Sequence, residues 1–281
     1  MIIALFPNLS KPHTKEIALI LVNHLIEKGV KIVAEDADAA ILKATPLSKI
    51  DASTIHFVIS IGGDGTILRY AHHHREITAP IVGINMGGLG FMADIRVEEA
   101  VTFLDRLLTG DYQIYEHLMI EGKTNKGDKC FAINDIVVHR STNPCLIDLA
   151  VHVGGKYLNT FSADGIIIAT PCGSTAYSLA AGGPILAPSI KAVVITPISP
   201  HTLSNRPIVL NPEEEITIEY ISEREVAEIS YDGITSFGLS TGDYLTINKS
   251  PQSFQLIGLE SHNYFSILRE KLHWSGKIRS L

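Results

Sequence analysis

A parallel α/β domain followed by a largely all-β domain is predicted by three features of the chain. Up to about residue 110, short β-branched runs alternate with amphipathic stretches of helical period, the pattern of a parallel sheet flanked by helices. From residue 112 onward, β-branched runs follow one another, separated by Gly, Pro and Asn. Two glycine clusters, at 62–65 and 87–90, sit just after strand-like runs, at the carboxyl ends where parallel sheets collect ligands. The predicted division is an α/β domain over 1–111 and a β-rich domain over 112–259. A last helix within 260–281 is expected to pack back on the first domain.

Taken in order, Ile2–Phe6 reads as a buried strand ended by Pro7-Asn8. Ile17, Ile20, Leu21, Leu25 and Ile26 set a helix over Thr14–Lys28, closed by Gly29. Lys31–Ala34 and Ile55–Ile61 are strands, and a helix runs from the first glycine cluster to about Arg75. Pro80–Ile84 is a strand and Val97–Leu108 a helix stopped by Gly110. The β-rich half comprises Tyr112–Lys123, Lys129–Arg140, Leu146–Phe161 (with Gly154-Gly155 as a hairpin turn), Gly165–Ala169 and Ala192–Ile198. Pro207–Leu210, Glu215–Ile221, Glu225–Ile234 and Asp243–Asn248 complete it. A small helix is expected near Ser174–Ala181, and a final one over Tyr264–Trp274 with Phe265, Leu268 and Leu272 on one side.

Composition narrows the partners. With 281 residues, 46% hydrophobic and 19% charged, the chain can bury an ample core. A net charge of -7 argues against nucleic acid, whose phosphates are gripped by basic surfaces, but not against a small anion held by backbone amides. Cys130, Cys145 and Cys172 are odd in number and lack C-x-x-C spacing, which suggests a reducing compartment. The N-terminus has no basic leader, and the longest apolar run, Ile17–Ile26, is broken by Asn23 and His24 and too short to span a bilayer. The expected location is therefore the cytoplasm, with no membrane partner. His72, His73 and His74 point in different directions on a helix and read as a solvated face, not a metal site.

The chemistry centres on Phe57–Tyr70, FVISIGGDGTILRY. Glycine weakens a strand or helix unless the backbone needs φ > 0 or must approach something closely. Gly62, Gly63, Gly65 and Thr66, at a helix N-terminus, suit a phosphate. Asp64 among such amides would repel that phosphate unless it takes a proton from an attacking hydroxyl or steers a phosphate-bound cation, both parts of phosphoryl transfer. As a turn residue it would need neither role. Gly87, Gly88 and Gly90 are candidates for a second phosphate-facing wall. In ADGIIIATPCGSTAYSLAAGGP, over Ala163–Pro184, Ser174-Thr175 opens a short helix of small residues that a flat ligand could approach, or simply caps it. Asn134 and Asp135 start a strand, pointing to opposite faces. They could read ribose hydroxyls or an adenine edge, or merely form the strand entry.

Together these motifs resemble the NAD kinase family: GGDGT, then G-x-N-x-G-x-L-G-F, N-D, and DGIIIATPCGSTAYSLAAGGPI, followed by PHTLSNRP and the ending YFSILREKLHWSG. GGDGT is shared with diacylglycerol-type lipid kinases; the long stretch is much more specific. The resemblance implies a Rossmann-like, phosphofructokinase-like N-terminal domain, a β C-terminal domain and an active site between them. It implies ATP or polyphosphate as donor, Mg²⁺ carried mainly on that donor with no protein metal ligands assigned, and Asp64 as the base acting on the adenosine 2′-hydroxyl of NAD. Gly65 and Arg69 would lie beside the dinucleotide, Asn134 and Asp135 would bind its ribose and adenine, and Asp164 with Thr175, Ala176, Tyr177, Ser178, Leu179 and Ala180 would pack around it, across a subunit boundary in a homo-oligomer. Four positions depart from the family pattern: Asp135 stands where Glu is common, Ser162 where a basic residue is, Ala180 where Ser is and Ile234 where Gln is. Alternative readings are a lipid kinase, a sugar-phosphate kinase and a non-catalytic NAD(H)-sensing module.

Overall fold

The computed structural model describes residues 1–88, 90–142, 144–202, 204–223, 226–258 and 264–274. It divides into two compact units, Met1–Glu116 with Gln255–Leu281, and His117–Phe254.

The first unit is built on β1 (Ile2–Pro7), α1 (Thr14–Glu27), β2 (Lys31–Ala34), α2 (Asp36–Ala39), β3 (Thr45–Pro46), β4 (Phe57–Gly62), α3 (Asp64–His73), β5 (Ile81–Asn85), β6 (Ile95–Arg96) and α4 (Ala100–Thr109). The strands pair in parallel in the order β5-β4-β1-β2-β3, and β6 joins β5. β4 and β5 are buried along their whole length, as sheet-centre strands made of Ile and Val should be. α1 and α4 lay Leu21, Leu25, Phe103 and Leu107 on the same core as Leu5, Ile59 and Ile84. Gly110, at φ 84°, closes α4 in the left-handed conformation that favours glycine.

In the second unit two sheets enclose one core. One sheet contains β7 (Gln113–Thr124) paired with β8 (Lys129–Ala132), and β10 (Ile147–Val153), β11 (Lys156–Ala163), β15 (Ile216–Tyr220) and β18 (Tyr244–Gly258). The other runs β14 (Ile208–Leu210), β13 (Val193–Ile198), β12 (Gly165–Ala169), β9 (Asp135–His139), β16 (Ala227–Tyr231), β17 (Thr235–Leu239). Alternation assigns the faces: Ile136, Val138, Ile166 and Ile168 enter the inter-sheet core, whereas Val137, Ile167 and Ala169 pack on Leu186 and Val194 behind. α5 (Tyr177–Ala180) is a single turn in this unit; α6 (Tyr264–Lys271) belongs to the first, where Tyr264 meets the ring of Phe91 and Glu270 pairs with Arg96.

Several boundaries differ from expectation. Lys129–Arg140 is two strands, broken at Ile133-Asn134. Glu225–Ile234 is shorter, because Asp232-Gly233, at φ 50° and 65°, turns a β16–β17 hairpin that periodicity alone missed. The strand expected over Asp243–Asn248 runs on to Gly258. The Gly154-Gly155 hairpin is as expected, with both residues at positive φ. His74 is not on a solvated face: its ring stacks near Tyr70 and bonds Glu35 at 2.9 Å.

Candidate active site

Asp64 is the first residue of α3, placed there by the end of β4 and an extended Gly63. Its carboxylate accepts three consecutive backbone N–H groups: Met92 (3.1 Å) and Ala93 (2.9 Å) on Oδ1 and Phe91 (2.9 Å) on Oδ2. A carboxylate has about four lone-pair positions, so one on Oδ2 carries no bond among the described residues. The loop that supplies these amides is itself fastened by Asn85, whose Nδ2 donates to the Gly88 and Ala93 carbonyls (2.9 and 3.0 Å).

The glycines around this acid serve close approach rather than positive φ. At Gly90 a Cβ would overlap the Asp64 carboxylate, and at Gly62 it would overlap the Thr66 hydroxyl. Gly65 and Gly88 face open space. Within the expected phosphate wall, the Gly87 N–H donates to Asn85 Oδ1 (2.8 Å) and the Gly90 N–H to the Ala93 carbonyl (2.8 Å), so these two amides are engaged inside the loop that holds Asp64. Lys11, which no motif marked, sets its Nζ 3.1 Å from the Gly62 carbonyl. Arg69 is exposed on α3.

The second unit repeats the same grip. Asp232 Oδ1 accepts the Asn134 and Asp135 N–H groups (2.7 and 3.2 Å) and Oδ2 that of Ile133 (2.9 Å). Thr170 bonds the Ile133 carbonyl through its hydroxyl (2.5 Å) and the Asn134 carbonyl through its N–H (2.8 Å), and a Cβ on Gly173 would overlap Asn134. The strand break at 133–134 is thus held from both sides, and it leaves the buried Asn134 Oδ1 without a partner, an acceptor in need of a donor. Burial, and then the neighbouring Asp232, push the Asp135 carboxyl up to about 7.

The remaining candidates separate by burial. Asp164 is paired with Arg140 (Nε–Oδ1 2.6 Å), a partner the sequence did not flag. The Ser174–Ala181 helix is a 3-10 turn, Gly173–Thr175, plus the four residues of α5, and neither has a side-chain cap. Ser174 bonds the Leu186 N–H (2.9 Å) and Ser178 the buried Thr196 hydroxyl (2.9 Å), which commits both to the fold. Thr175 and Leu179 are half-buried, while Tyr177 and Ala180 are exposed. Of the departures, Ser162 bonds Asp148 and Ile234 is exposed beside the Asp232 turn. Among the described residues no three His, Cys, Asp or Glu side chains group as a metal site, and no helix is long and apolar enough to cross a membrane.

Residues 3–112 match the family model described as ATP-NAD kinase N-terminal domain, and residues 133–259 that described as ATP-NAD kinase C-terminal domain. The chain belongs to the NAD kinase family. The NAD kinase of Protochlamydia amoebophila is 53% identical over 277 residues, covering 99% of each chain, and that of Moorella thermoacetica is 36% identical over 98% of this chain and 90% of its own. Among solved structures, yeast NADH kinase complexed with NADH superposes with a TM-score of 0.90 at 25% identity, over 99% of this chain and 89% of that one. An Archaeoglobus fulgidus NAD kinase in complex with ATP superposes at 0.75, also 25% identical, over 96% and 99%. The α/β and β-rich halves are those of NAD kinases, and these relatives lend no support to the lipid-kinase or non-catalytic sensor readings.

Proposed function

We propose that this NAD kinase transfers the terminal phosphoryl group of ATP to the adenosine 2′-hydroxyl of NAD, with Asp64 as the group that accepts the hydroxyl proton. The enzyme phosphorylates NAD. The observation that carries the assignment is the geometry of Asp64. Three amides fix its plane, and one Oδ2 lone pair is left to meet a hydroxyl. Fixing a base this way supplies orientation, and a positioned base contributes ~10²–10⁴-fold. A carboxylate is a weak partner for an alcohol, so the proton leaves late, together with in-line movement of the phosphoryl group.

Asn134 and Asp135 supply an acceptor and a carboxyl for ribose or adenine. The orphaned Asn134 Oδ1 gains a partner when a ligand hydroxyl or amine donates to it. Magnesium enters with the donor, carried mainly on its polyphosphate. A homo-oligomeric enzyme in the cytoplasm completes the proposal.

Incubating the purified chain with ATP, Mg²⁺ and NAD and assaying NADP tests the reaction. Steady formation of NADP, with none in the absence of donor, is the expected result. Phosphorylation of diacylglycerol vesicles with none of NAD would overturn it.

A further inference from the structure

The roles above leave α6 without a task, yet it meets the segment that grips Asp64. The tail of β18 delivers it there: Leu256 pairs with Ile81 of β5, and Ile257 enters the core of the first unit. Along α6 the packed stripe is Tyr264, Ile267 and Leu268, at i, i+3 and i+4, with Ile267 and Leu268 buried and Tyr264 half-buried. Phe265, expected on that side, is 60% exposed instead.

The gripping segment runs from the end of β5 to β6, whose Ile95 and Arg96 pair back on Ile84 and Asn85. Gly83 of β5 lets it lie flush on the sheet, because a Cβ there would overlap the Ala93 backbone and the Met92 carbonyl. α6 adds two contacts. The Tyr264 ring lies 6.2 Å from that of Phe91, centre to centre and tilted by 46°, and Arg96 donates to Glu270 at 3.2 Å. These contacts bracket residues 91–96, and the amides of 91, 92 and 93 hold the carboxylate. Phe91 matters most, since its N–H donates to Asp64 Oδ2, the oxygen with a lone pair left open. Moving the Phe91 backbone moves that amide, and with it the direction in which the open lone pair points.

We propose that α6 is a positioning element for phosphoryl transfer: Tyr264 acting through Phe91, and Glu270 through Arg96, aim Asp64 Oδ2 at the substrate hydroxyl. The proposal rests on the reading of Asp64 as the base. Both residues act through a neighbour and are positioning residues, not catalytic ones. Stability gives little reason for the Arg96–Glu270 pair, because its side chains are 53% and 51% exposed and such pairs add little. Its place at the far end of the gripping segment does give one. A shift of about 1 Å at the reacting atoms costs on the order of 10²-fold in rate, so a small movement of this segment is measurable.

Steady-state kinetics of the full chain test this, with calorimetric NAD titration and thermal melts beside them. Tyr264→Ala should lower kcat at least about tenfold while the NAD KM and Kd stay within about twofold. Tyr264→Phe keeps the ring and should hold kcat within about twofold of wild type. In an Asp64→Asn background Tyr264→Ala should cost nothing further, because the group it positions is gone. Full turnover in folded Tyr264→Ala overturns the proposal. So does an equal loss in the Asp64→Asn background, or a loss confined to KM. Should Tyr264→Ala unfold, the exposed pair carries the test. Arg96→Glu should then lower kcat about threefold and added Glu270→Arg should restore it, whereas kcat indifferent to both overturns the proposal. Near-wild-type turnover of Asp64→Asn alone would remove the base reading and this proposal with it. A large loss there beside an unaffected Tyr264→Ala removes only the role of α6.

Discussion

Asp64 and Asp232 make the same bonds in different company. Each gathers three consecutive backbone N–H groups, two on one oxygen and one on the other. Around Asp64 the neighbours are glycines with no side chain to cover the carboxylate, and a helix start lies beside it. Around Asp232 the neighbours are the Asn134-Asp135 pair that it holds in place, one member of which is pushed toward the neutral acid by burial and then by Asp232. On the proposed roles, the same grip serves proton transfer in one unit and ligand recognition in the other. What separates them is what the surroundings leave uncovered.

The comparison can be broken by removing each acid in turn. Asp64→Asn should lower kcat by ~10²–10⁴-fold with the NAD KM little changed, because the base acts in the transition state. Asp232→Ala should do the reverse. Loss of three amide acceptors should raise the NAD KM at least tenfold and cost roughly 1–3 kcal/mol in denaturant unfolding, with a smaller effect on kcat. If the two variants gave the same split of kcat and KM, the division of labour would be wrong.

Gly90→Ala sharpens the first half. The added methyl would occupy the place of the Asp64 carboxylate, so kcat should fall by on the order of 10²-fold without any change of charge. Steady-state kinetics beside a thermal melt would separate this from simple unfolding.

Asp135→Asn sharpens the second half through pH. The folded carboxyl lies well above its ordinary value, at about 7, so the folded state holds the extra proton between about pH 4 and pH 7. Stability contributed by this group is therefore present at low pH and lost as pH rises through that window. The variant should flatten the decline and be more stable than the wild type at pH 8, by about 1–4 kcal/mol, in urea titrations at both ends of the range. Smallest of all, Ser178→Ala removes one buried hydroxyl bond to Thr196 and should cost about 1 kcal/mol while NAD affinity holds.

Much of the first unit was legible because its strands are short Ile/Val runs and its helices have clear apolar stripes, so period and burial agree. Asp64 was legible for a related reason, since glycines on both sides of an acid are costly unless something comes close. The job of the second glycine cluster was not, because the Asp64 carboxylate fills the Cβ position of Gly90 only when residues 26 apart in sequence are brought together. Asp232 was hidden differently. Asp-Gly is a hairpin signal, but it sat inside a run that looked like one strand, and its bonds reach back nearly a hundred residues. Arg140 and Lys11 were missed because single basic residues carry no local pattern; only their partners, Asp164 and the Gly62 carbonyl, identify them.

The central claim is that the unbonded side of Asp64 receives the sugar hydroxyl. A crystal structure of this chain with NAD bound measures it most directly. The account predicts the adenosine 2′-oxygen within about 2.6–3.2 Å of Asp64 Oδ2, or one water away, with the three amide bonds intact. A 2′-oxygen beyond the reach of a bridging water would contradict it.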